Sequence, residues 1–245
     1  MKARRFALVA LASAAFCGSA SAVLAQTRAV VELFTSQGCS SCPAADKLLG
    51  ELMKDPGIVA MSVPIDYWDY LGWKDTLASP AHTARQRGYA KMRGDRQVYT
   101  PQVVINGSLH VLGSDKAAIE RAIAASRRST ASMSLAVTLM ASGDTLSVTI
   151  PDGKPERSAE VWLCAITKTV PVEIARGENR GRTVTYHNVA RRWQKLGDWT
   201  GKAVTWNVPL SDIKAAQGDA AAVLVQSGTV EHPNMTLGAA MASLP

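Results

Sequence analysis

Cysteine is scarce in this chain, with four in 245 residues, and so few exclude a small fold held together by a disulfide framework. The N-terminus lowers the number further. Lys2, Arg4 and Arg5 precede an uncharged stretch from Phe6 to Ala25 rich in Ala, Leu and Val, the pattern of a secretory signal peptide. Small-residue cleavage signals end it after Ala20-Ser21-Ala22 or after Val23-Leu24-Ala25, and the second, which leaves Gln26 first, is preferred. Cys17 leaves with the leader, and as it follows the bulky Phe16 it is a poor lipid-anchor site. No later segment is long and apolar enough to span a bilayer, so no stable membrane insertion is expected. The expected product, residues 26–245, is soluble and periplasmic or secreted. Also missing is any basic patch interleaved with aromatics: three of the +7 formal charges belong to the leader, aromatics make up only 6%, and a nucleic-acid partner is not expected. No internal repeat and no low-complexity tract is found.

Three cysteines then remain: Cys39, Cys42 and Cys164. The two-residue spacing pairs Cys39 with Cys42 and leaves Cys164 as a free, buried thiol. Around the pair the apolar pattern is informative. Residues 28–35 form a short apolar run that reads as a buried strand, broken by Ser36-Gln37-Gly38. From Cys42 on, Ala45, Leu48, Leu49, Leu52 and Met53 recur at helical spacing until Asp55-Pro56-Gly57. A second strand is expected over 58–65 and a polar helix over 80–92. A hairpin follows over 102–105 and 109–112, turned by Asn106-Gly107, and a last helix after Ser114 and Asp115 ends near 128. Strand, helix, strand, helix, strand, strand, helix is the minimal thioredoxin arrangement. The fold class expected is therefore an α/β thioredoxin-like domain over 26–129, followed by an all-β, sandwich-like domain over 130–245. In the latter, strands are expected at 134–140, 145–150, 159–169, 182–189, 202–208 and 221–226.

A cysteine pair at the first turn of a helix feels unpaired backbone N–H groups and the positive end of the helix dipole, both of which stabilise thiolate. In such motifs the first cysteine, Cys39, attacks a partner disulfide and the second, Cys42, resolves the mixed disulfide. The competing readings are a structural disulfide, or half of a zinc site. Zinc needs two more ligands, and only Cys164 and four scattered histidines (His82, His110, His187 and His232) remain, none at paired spacing. No metal and no cofactor are expected. Thr100-Pro101 precedes the hairpin, where thioredoxin folds place a cis-proline against the cysteines, leaving Thr100 backbone groups free to pair with a bound peptide.

Two segments, Glu32-Leu33-Phe34-Thr35-Ser36-Gln37-Gly38-Cys39-Ser40-Ser41-Cys42-Pro43 and Asp66-Tyr67-Trp68-Asp69-Tyr70-Leu71-Gly72-Trp73-Lys74-Asp75, resemble the secreted family catalogued as domain of unknown function 1223. The resemblance extends to Gly177-Glu178-Asn179-Arg180-Gly181. It implies a thioredoxin-like fold with a β-rich C-terminal part, and no substrate. Glu32 lies near where thioredoxins keep a buried acid that relays protons to the resolving cysteine, or else it points outward as a solvated charge. The loop after the second strand should emerge beside the cysteines. Its Trp68, Asp66 and Asp69 are therefore candidates for a substrate groove with Thr100, although the same aromatics could simply pack an insertion onto the domain.

The leading expectation is an exported thiol–disulfide oxidoreductase acting on a protein thiol or disulfide partner in the cell envelope, with Cys39, Cys42, Pro101 and Glu32 as its catalytic set. The alternatives are a copper(I)-binding or delivery module, since soft thiolates suit that ion, and a non-catalytic adaptor whose β domain binds a partner, which survives if Cys39 is buried. Arg176, Arg180, Arg182, Arg191 and Arg192 read as solvated strand charges. Trp162, Trp193, Trp199 and Trp206 read as core.

Overall fold

The computed structural model describes residues 27–154, 158–229 and 232–245; the expected signal peptide and its cleavage sites lie outside them. Among the described residues no helix is long and apolar enough to cross a membrane. The chain is a mixed α/β fold with one large, mostly β sheet. Its first part runs β1 (Ala29–Thr35), α1 (Cys42–Leu52), β2 (Ile58–Pro64), α2 (Pro80–Arg93), β3 (Gln102–Ile105), β4 (Leu109–Leu112) and α3 (Lys116–Ser126). A single 3-10 turn, Asp69–Leu71, sits between β2 and α2. The second part contains β5 (Thr138–Ser142), β6 (Thr145–Ile150), β7 (Ala159–Glu173), β8 (Thr183–Trp199), β9 (Val204–Pro209), α4 (Leu210–Ala215), β10 (Ala220–Gly228) and β11 (Pro233–Ser243).

The sheet order is β11-β10-β7-β8-β2-β1-β3-β4, with β5-β6-β9 as a separate three-stranded sheet. The expected boundary near residue 129 therefore falls just after α3, but it does not divide the large sheet. β2 and β8 join its two halves in parallel through Ser62 and Val189, and the buried Asn188 side chain donates to the Ala60 carbonyl at 2.8 Å. The small sheet lies on the C-terminal half as a second layer, with Leu139, Leu146, Val148 and Ile150 meeting Val161, Leu163, Val223 and Val225 in one core. Expected to be all-β, this region also holds the short helix α4. Its Leu210 and Ile213 fill the same core, and the six-residue length offers no helical periodicity to read.

β1 is buried along its whole length because both faces are covered. Ala29, Val31 and Leu33 pack with Ala45, Leu48 and Leu49 of α1 and Ile119 of α3. Val30 and Phe34 face the other side, with Tyr89 of α2, Met61 and Cys164. Side chains alternate along a strand, so Glu32 shares that second face and the sheet lies between it and α1.

Candidate functional site

A turn delivers the cysteine pair from β1 into α1. Cys39 N–H donates to the Ser36 carbonyl and Cys42 N–H to the Cys39 carbonyl, each at 3.2 Å, and Cys42 is the first helical residue, followed by Pro43 where a missing N–H leaves nothing unpaired. Cys39 and Cys42 form a disulfide with Cα atoms 5.4 Å apart. Both are buried, Cys39 at 4% exposure and Cys42 at 0%. Cys164 is free and buried; burial pushes its thiol pKa up, against a smaller opposing pull from the Arg85 charge.

The Thr100–Pro101 peptide bond is cis. Pro101 is buried beside α1: a Cβ placed on Gly113 would crowd Pro101 at 3.1 Å, Ala45 at 3.2 Å and Leu33 at 2.8 Å. Trp68 connects this corner to the cysteine turn. Its Nε1 donates to Thr100 Oγ1 at 2.7 Å, and its Cβ lies 3.1 Å from where a Gly38 side chain would begin. The Tyr70 ring stacks on Trp68 with centroids 6.2 Å apart and is 77% exposed. Cys39, Cys42, Thr100, Pro101 and Trp68 are therefore brought together.

Asp66 and Asp69 hold the loop itself. Asp66 Oδ1 accepts from the Thr83 hydroxyl at 2.5 Å and Asp69 Oδ1 from the Asp75 N–H at 3.0 Å. Glu32 is neither a solvated charge nor a neighbour of α1. It is fully buried and takes Arg85 Nε at 2.6 Å and Nη2 at 3.0 Å, in a network completed by Tyr89 and Gln226. The sequence reveals that β1 alternates, but not which of its faces meets α1.

Another acid occupies the face that Glu32 does not. Asp46 lies one helical turn beyond Cys42 on α1 and is fully buried. Neither of its carboxyl oxygens has a hydrogen-bond partner among the described residues. Burial raises its pKa to about 8; the neighbouring Thr35 hydroxyl pulls the other way, and Asp75 adds repulsion. Asp75, raised to about 6 mainly by burial, accepts Gln37 N–H at 2.8 Å just before the cysteine turn. Both acids act on buried Tyr186 of β8, whose hydroxyl pKa is pushed up first by burial and then by their charges. A signal for Asp46 existed: a carboxylate four residues after Cys42, inside an otherwise apolar helix face.

The second missed feature comes from far along the chain. The β7–β8 tip, residues 174–182, reaches the cysteine turn. Asn179 Nδ2 donates to the Gln37 carbonyl at 2.9 Å and the Cys39 carbonyl at 2.8 Å, and Glu178 Oε2 accepts Ser40 N–H at 3.2 Å. Nothing local in the sequence signals contacts 138 to 142 residues apart.

Comparison with solved structures finds a protein from Agrobacterium tumefaciens, 34% identical, with a TM-score of 0.80 over 89% of this chain and 95% of that one. HBP35 of Porphyromonas gingivalis, 11% identical, covers 89% of this chain and 76% of its own with a TM-score of 0.56, a likeness of fold alone. No curated protein matches. Residues 30–226 match the family described as Protein of unknown function (DUF1223), and the chain belongs to that family.

Proposed function

We propose that this chain is an exported thiol–disulfide oxidoreductase, built on a thioredoxin-like unit spanning β1 to α3, that acts on a protein in the cell envelope. The observation that carries the reading is the Cys39–Cys42 disulfide at the start of α1, whose turn is linked through Trp68 to Thr100 of the cis Thr100–Pro101 bond. In the reducing direction, an envelope dithiol first converts the pair to thiols, becoming a disulfide itself. Cys39 thiolate then attacks one sulfur of the substrate disulfide, and the departing sulfur takes a proton. Cys42, losing its own proton, attacks Cys39 and releases the second substrate thiol, so two electrons and two protons pass to the substrate. Asp46, and not Glu32, is the acid on the Cys42 face, and a carboxyl with a pKa of about 8 exchanges protons near neutrality.

The test is insulin reduction by the full chain. Cys39→Ser is expected to abolish turnover, and Cys42→Ser to accumulate mixed disulfides through Cys39; the absence of turnover with any disulfide substrate would sink the reading. One observation favours a second reading, a non-catalytic adaptor whose disulfide is structural: Cys39 is only 4% exposed. In that case Cys39→Ser lowers the unfolding midpoint and changes nothing else. Metal content after purification under reducing conditions tests the copper(I) alternative, which rests on the soft thiolates of the same pair.

A further inference from the structure

The tip of β7 and β8 is built as a unit. Gly177 and Gly181 adopt φ of 77° and 79°, the left-handed region that suits glycine. Gly181 N–H donates to the Ile174 carbonyl at 2.8 Å and Arg180 N–H to the Gly177 carbonyl at 3.1 Å. Arg182 Nη1 donates to Asn179 Oδ1 at 3.2 Å, which fixes the amide so that its Nδ2 points at the cysteine turn. The base is anchored by buried Ile174, packed with Leu77, Val184, Tyr186 and Val189, whereas the tip residues other than Asn179 are exposed. Its attachment to the cysteine turn is polar: two bonds from the Asn179 amide and one to Glu178.

Those bonds take up backbone groups on both sides of the nucleophile, the Gln37 and Cys39 carbonyls and the Ser40 N–H, and Cys39 itself is almost wholly covered. We propose that the β7–β8 tip is a gate over the Cys39–Cys42 pair, held shut by Asn179 and Glu178, so that a reductant or partner protein reaches Cys39 only after these three hydrogen bonds open. The inference rests on the oxidoreductase reading for its use, since a gate admits a partner able to displace it and slows unselective thiols. The hydrophobic anchor, Ile174, lies at the base of the tip rather than at its end.

The experiment uses the full chain and its own disulfide, with dithiothreitol as the probe. The reagent's thiolate attacks Cys39 Sγ, the Cys39–Cys42 bond breaks, and cyclisation of the reagent oxidises it while leaving two protein thiols, which are counted by alkylation and mass. Asn179→Ala is expected to speed reduction about thirtyfold, the factor for losing two buried hydrogen bonds of ordinary strength. Glu178→Ala, at an exposed position, is expected to speed it about threefold, as one exposed bond would. A rate independent of low urea concentrations distinguishes tip opening from global unfolding. If Asn179→Ala fails to fold, Glu178→Ala decides alone. An unchanged rate in a folded variant, or a wild-type rate that tracks global unfolding, overturns the gate. Insulin turnover is read separately: a gate that opens without turnover leaves the gate standing and removes the oxidoreductase.

Discussion

Glu32 and Asp46 are both fully buried acids on elements that flank the cysteine turn, yet their surroundings are opposite. Glu32 on β1 meets a guanidinium, a phenol and, through them, Gln226 of β10. Burial works against the Arg85 charge, but the Glu32 and Tyr89 interactions more than offset it and hold the Arg85 pKa above its usual value. Arg85 also lies over the Trp193 ring of β8, 4.5 Å from its centroid. The Glu32 network therefore ties β1 and α2 to the C-terminal half of the sheet. Asp46 on α1 has no such partner and instead holds a proton up to about pH 8. A buried carboxylate with a fixed counter-charge is a structural tie, while one without is a proton site, and the pleat of β1 decides which acid the cysteines see.

The largest expected effect comes from breaking the tie. Arg85→Met leaves Glu32 buried opposite an apolar chain and is expected to lower the unfolding free energy by about 3–5 kcal/mol. Adding Glu32→Gln should recover a good part of it, and urea denaturation of the four members of that cycle measures both. Loss of stability with no recovery in the double variant would mean that Arg85 acts through Trp193 and Tyr89 rather than through the ion pair.

Asp46 should respond in the opposite sense. Its folded pKa of about 8 exceeds the ordinary carboxyl value of 3.8, so the folded form keeps a proton that the unfolded chain has lost. Stability then falls as pH rises through that window. Asp75 adds to the fall only up to about pH 6. Buried His82, depressed to about 4 mainly by burial, opposes it up to the ordinary histidine value of 6.5. Between pH 6.5 and 8 Asp46 acts alone among these groups, and wild-type stability is expected to drop by about 2 kcal/mol. Asp46→Asn should flatten that drop and leave the protein more stable than wild type at pH 8. A variant profile parallel to wild type would place the titration elsewhere.

Legibility followed the range of the interactions. α1 and the β3–β4 hairpin were readable because apolar spacing and the Asn106-Gly107 turn, both residues at positive φ, are local signals. The expectation that Thr100, Pro101 and Trp68 lie near the cysteines drew on element order together with the fold which that order implies. β11 was missed because its run of Ala, Gly and Met has weak strand preference, and it forms by pairing with β10 from Ala220 to Gly228. The second half of β8 was missed because Arg191, Arg192 and Lys195 interrupt the apolar pattern; it extends through pairing with β7. Asn179 and Glu178 stand in the Gly177–Gly181 motif that carries part of the family resemblance, but their contacts were out of reach for the same reason: their partners are set by the sheet, not by the segment around them.

The smallest effect tests how redundant the Glu32 tie is. The Tyr89 hydroxyl donates to Glu32 Oε1 at 2.5 Å and accepts from Arg85 Nη2 at 2.6 Å and Gln226 Nε2 at 2.7 Å. Each of those three groups has a further partner: Glu32 Oε1 keeps Arg85 at 3.0 Å, Arg85 Nη2 keeps Gln226 Oε1 at 3.1 Å, and Gln226 Nε2 keeps the Asn234 backbone carbonyl at 2.7 Å. Tyr89→Phe therefore orphans no buried group, and its ring keeps its edge contact with Phe34. The expected loss is about 1 kcal/mol, at the level of a single satisfied hydrogen bond rather than of an uncompensated charge. A lower urea midpoint with an unchanged slope would show it. A loss as large as that of Arg85→Met would mean that the hydroxyl, and not the ion pair, holds the two halves of the sheet together.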